Sequence, residues 1–84
     1  MYDDFQYVTD SLSFTELEDR LCKNCGIDYV DSSSTPRELP LDKSFTVRLF
    51  SIHKRPHKNV SCQVRISAEP KGRYTVSVYG ITSI

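Results

Sequence analysis

His53-Lys54-Arg55-Pro56-His57-Lys58 holds the densest run of chemically active side chains in the chain. Two imidazoles stand among three cationic side chains. Such a loop can hold phosphate. It could also cleave RNA, with a histidine as general base and Arg55 on the transition-state phosphate. The plainer reading is a solvated basic turn. No G-x-S-x-G, no phosphate-cradling glycine loop and no carboxylate pair accompanies it, so the chain is not expected to be an enzyme.

The three cysteines are the second candidate. Cys22 and Cys25 form a C-x-x-C pair, and Cys62 with His53 or His57 would complete four zinc ligands. The spacing is irregular and no second close pair follows, so no metal ligands and no cofactor are assigned. Cys25 and Cys62 also occupy apolar positions of their elements, where a thiol packs as a small hydrophobe. Reactive C-x-x-C thiols sit at helix N-termini. This pair ends a helix, where the negative end of the dipole disfavours thiolate. An odd cysteine count fits a reducing compartment.

These groups need a scaffold. Ser13 and Glu16 have the S-x-x-E spacing of a capping box, and Phe14, Leu17, Leu21 and Cys25 follow at helical intervals. Gly26 stands where a left-handed terminator belongs, so the helix is expected over 14–25. Before it, residues 4–9 could be a strand or an extra helical turn. Ile27 to Val30 reads as a short strand, and 31–44 as a connector with Thr35-Pro36-Arg37-Glu38 as one helical turn.

From Phe45 the period changes to two. Phe45 to Ile52, Val60 to Ser67 and Tyr74 to Tyr79 read as three strands, the last two joined by a turn at Glu69-Pro70-Lys71-Gly72. The expected fold is α+β. One N-terminal helix packs on a three- to four-stranded antiparallel β-sheet, a β-meander, in a single domain over 1–84.

Strand alternation places Arg48 and Phe50, Gln63 and Arg65, and Ser77 and Tyr79 on one polar face. The hairpin tip adds Lys54, Arg55 and Lys58, and the far turn adds Lys71 and Arg73. Cations interleaved with rings suit either single-stranded RNA or DNA or a protein partner, whose hot spots favour aromatics and Arg.

Charge tips the balance. Residues 1–42 carry ten acidic side chains against three basic ones, a net charge of −7. Residues 43–84 carry eight basic side chains and only Glu69, a net charge of +7. A dedicated phosphate binder is usually basic throughout, whereas a dipolar surface suits oriented docking on a charged protein. The expectation is a non-enzymatic macromolecule-binding module, a small inhibitor or accessory factor in the style of phage-encoded proteins, acting on a larger protein or nucleoprotein partner. The alternative is a nucleic-acid binder using the 53–58 hairpin and the Arg48/Arg65/Tyr79 face. A monomer or small homo-oligomer fits either. The acidic start and the lack of a long apolar run give no sign of a secretory signal or a membrane partner, and point to the cytoplasm, a host's if the chain is viral.

Overall fold

The computed structural model describes every residue except Met1, Ser32, Ser34, Lys54, Arg55, Pro56 and Ile84. Ser13 ends an extended stretch, and its Oγ accepts the Glu16 N–H at 3.1 Å. That bond starts helix α1, Phe14–Cys25, and Gly26 closes it at φ 65° with its N–H on the Cys22 carbonyl. Both boundaries are those the caps predict. The capping box is only half made, however. The Glu16 side chain does not return to Ser13; its Oε1 is buried with no partner among the described residues. Replacing Ser13 by Ala is expected to cost about 1 kcal/mol, read as a lower urea midpoint with an unchanged slope.

Strand β1, Phe5–Thr9, precedes the helix, so the helix is the second element and not the first. Strand β2, Tyr29–Val30, follows it, and then β3, Ser44–Phe50; β4, Asn59–Glu69; and β5, Arg73–Ser83. They form one antiparallel sheet in the order β1-β5-β4-β3-β2. The sheet therefore has five strands where three or four are expected from alternation alone. β1 is too short for its period to decide its type, and its partner β5 lies about 70 residues away. Thr35 to Glu38 form bends instead of a helical turn. Pro40 bars Leu39 from the helical region, which leaves too few residues to nucleate one.

The core lies between α1 and one face of the sheet. Leu17 and Leu21 from the helix and Val47, Val60, Cys62, Val64, Ile66 and Val76 from the strands are fully buried. A bulge extends β5 beyond Tyr79. Gly80 takes φ 60°, and the register slips opposite the stretch between Ser61 and Gln63. The extra residue returns Ile81 to the core side and leaves Thr82 outward. The Pro70–Gly72 turn forms as expected, with Lys71 at φ 67° and Gly72 at φ 71°.

Candidate functional site

Among the described residues no α-helix covers the second face of the sheet, as a two-layer antiparallel fold allows. Its side chains follow from register. Thr46 lies opposite Gln63, and Gln63 opposite Tyr79; Ser44 lies opposite Arg65, and Arg65 opposite Ser77; Arg48 lies opposite Ser61. Arg48, Phe50, Arg65 and Tyr79 therefore share one face, together with Gln63 and Ser77. Two cross-strand bonds organise its centre. Gln63 Nε2 donates to Thr46 Oγ1 at 2.9 Å, and the Tyr79 hydroxyl is hydrogen-bonded to the Ser44 hydroxyl two strands away. The Tyr79 ring must therefore reach across β4.

An aromatic corner forms where β2 meets β3. Tyr29 lies opposite Phe50, with ring centroids 4.7 Å apart and planes at 37°. Tyr29 remains 40% exposed, and Ile52, two residues beyond Phe50, 44%. Cations stand nearby: Arg48 one alternation along β3, and Lys58 beside Asn59, the residue opposite Phe50. Asp31 follows β2, donates its N–H to the Arg48 carbonyl at 2.9 Å, and shares a shallow depression with Arg48, Thr46 and Ser33. Its carboxyl is held below the usual range, chiefly by hydrogen bonds from the Ser33 side chain and N–H, with the Arg48 charge adding to the effect.

Asp28 ties this corner together. Its carboxylate accepts the N–H groups of Ile52 and His53 at 2.9 and 3.0 Å, and these bonds lower its pKa. Ser51 and Lys58 close the base of the loop from the other side. The Ser51 N–H donates to the Lys58 carbonyl at 3.0 Å, and the Lys58 N–H to Ser51 Oγ at 2.8 Å. The acidic and basic halves of the chain thus meet at the root of the hairpin. Its tip, with Lys54 and Arg55, lies outside the described residues.

The far turn is a separate place. Lys71 and Arg73 are exposed at the other end of β4 from Lys58, a strand length of about 35 Å at ~3.3 Å per residue. Arg73 lies opposite Glu69. Neither basic residue joins the aromatic corner.

The cysteines stay inside. Cys25 and Cys62 are buried and Cys22 half-buried, all three as free thiols. Burial is the first cause of their raised pKa values, with the helix's own Glu18 and Asp19 adding at Cys22; Cys62 is pushed up to about 12. Among the described residues no three His, Cys, Asp or Glu come close enough together to hold a metal ion. None of their helices is long and apolar enough to cross a membrane.

Tyr29, Ile52 and Asp28 are the residues of this corner that sequence patterns do not mark. The one local signal was the Tyr29-Val30 alternation, which puts the ring opposite a buried valine. The chain matches no protein-family model, and no curated protein or solved structure shows significant similarity to it.

Proposed function

We propose that this chain is a non-enzymatic docking module, an inhibitor or accessory factor that binds a larger protein through the Tyr29–Phe50 corner. The observation that carries the reading is the solvent-facing ring pair with Ile52 beside it, bordered by Arg48 and Lys58. Aromatic anchors with an adjacent Arg are the composition of interface hot spots. The corner also sits on a braced root: Asp28 and the Ser51–Lys58 pair fix its backbone, so little order is lost on binding.

A nucleic-acid reading is favoured by one observation, the register that puts Arg48, Arg65 and Tyr79 on a common face. Against it, Asp31 sits beside Arg48, and the Tyr79 hydroxyl is engaged with Ser44. Both reduce what a polyanion would gain there.

The experiment pairs affinity capture with oligonucleotide anisotropy over a salt series. The chain is expected to retain one stoichiometric protein partner. Tyr29→Ala with Phe50→Ala should weaken that binding about 30-fold or more, the scale of a hot spot, while circular dichroism stays that of the parent chain. Submicromolar binding of RNA or DNA that falls steeply with salt and is lost in Arg48→Glu/Arg65→Glu would replace this reading with the second.

A further inference from the structure

Among the described residues β1 is an edge of the sheet, paired with β5 alone. Among the described residues no backbone hydrogen bond reaches its outer side. Val8, on its uncovered face, is 56% exposed, the highest of the exposed large hydrophobic residues. An open edge of this kind is a template for another strand.

Its flanks decide which strand. Asp3 and Asp4 lead into β1, Asp10 follows it, and all three are exposed. If a second copy paired antiparallel in full register, Asp4 of each copy would face Asp10 of the other. Like charges directly opposite destabilise a strand pair, so the edge is guarded against its own kind. The same two carboxylates would favour a strand with a cation at each end.

We propose that the outer edge of β1 accepts an extended, basic segment of a protein partner as a sixth strand. The geometry fixes the pattern. A residue facing Asp10 and one facing Asp4 are six positions apart, and both are basic. Between them, the residue two beyond the first faces Val8 and is apolar. This rests on the docking reading but not on the aromatic corner, which lies at the opposite edge of the sheet.

The test uses an end-blocked, fluorescein-labelled peptide, Lys-Thr-Val-Thr-Gln-Val-Lys, and its counterpart with Glu at both ends. The basic peptide is expected to bind at low salt, at least tenfold tighter than the acidic one, and to shift the amide signals of residues 4–10. Asp4→Lys/Asp10→Lys should reverse that preference. The proposal is overturned if the basic peptide does not bind, or if the two peptides bind alike. Shifts centred on Tyr29 and Phe50 would equally overturn it. Phe50→Ala should leave this binding within twofold, so failure here and failure of the aromatic corner are told apart.

Discussion

Replacing Leu21 by Ala is expected to lower the unfolding free energy by about 2–5 kcal/mol. A domain of this length has roughly 4–13 kcal/mol in all, so the loss of one side chain is a sizeable share of the stability. Leu21 shows no exposed surface and lies with Leu17 between the helix and the sheet. The atoms that Ala removes leave a space that close-packed surroundings fill only in part. Leu41, 43% exposed, is the matched control, with an expected loss below about 1 kcal/mol. Urea unfolding followed by far-ultraviolet circular dichroism compares the two. Equal losses would mean that α1 does not seal the core.

The second large effect is alkaline. Cys62 is fully buried, with its thiol raised from 9.0 to about 12. Tyr7 is 7% exposed, with its phenol raised from 10.0 to about 12 by burial first and by Glu16 second, while Arg20, whose guanidinium carbon lies 4.6 Å from the ring centroid, opposes them. In each case the folded chain holds the proton more tightly than the unfolded chain. Stability is therefore full below about pH 9 and falls as pH rises toward 12. By pH 11 the combined loss is about 4 kcal/mol, with Cys62 contributing the larger share. Urea midpoints at pH 8, 9, 10 and 11 measure it, and Cys62→Ala should flatten the first part of the decline. Tyr7→Phe should flatten the later part. It should also cost little at pH 7, because the Tyr7 hydroxyl is buried with no partner among the described residues. A midpoint that holds steady to pH 11 would contradict the burial of both groups.

Sequence patterns resolve the parts of this fold that are local. Ser13 and Gly26 mark the ends of α1 because a cap acts within four residues. The three long strands announce themselves by alternation, and with them the common face of Arg48, Phe50, Arg65 and Tyr79. The remainder depends on distant partners. Five residues of alternation leave β1 ambiguous until β5 is beside it. Tyr29 becomes a partner of Phe50 only through a two-residue strand pairing, and Asp28 reaches the hairpin root only once that pairing exists. The Gly80 bulge has no local sign beyond a glycine. Without it, Ile81 would point outward and the core would lose its last strand residue. Glu16 shows the opposite error: its spacing promises a reciprocal cap, but its Oε1 is buried without a partner among the described residues.

The β1–β5 pairing has a consequence for how the chain is made. Phe5 to Thr9 leave the ribosome about 70 residues ahead of Tyr74 to Val78, their partners. At roughly 5–20 residues per second, that is an interval of several seconds. Within it the helix can form from neighbours, and the β3–β4 hairpin only near its end, while the first strand lacks the partner it has in the fold. β5, the last of these five strands in chain order, must insert between β1 and β4, and so closes the sheet from within. Pairings of such long sequence separation slow folding more than they alter stability. The exposed acidic residues on either side of β1 disfavour pairing of that waiting strand with its own copies.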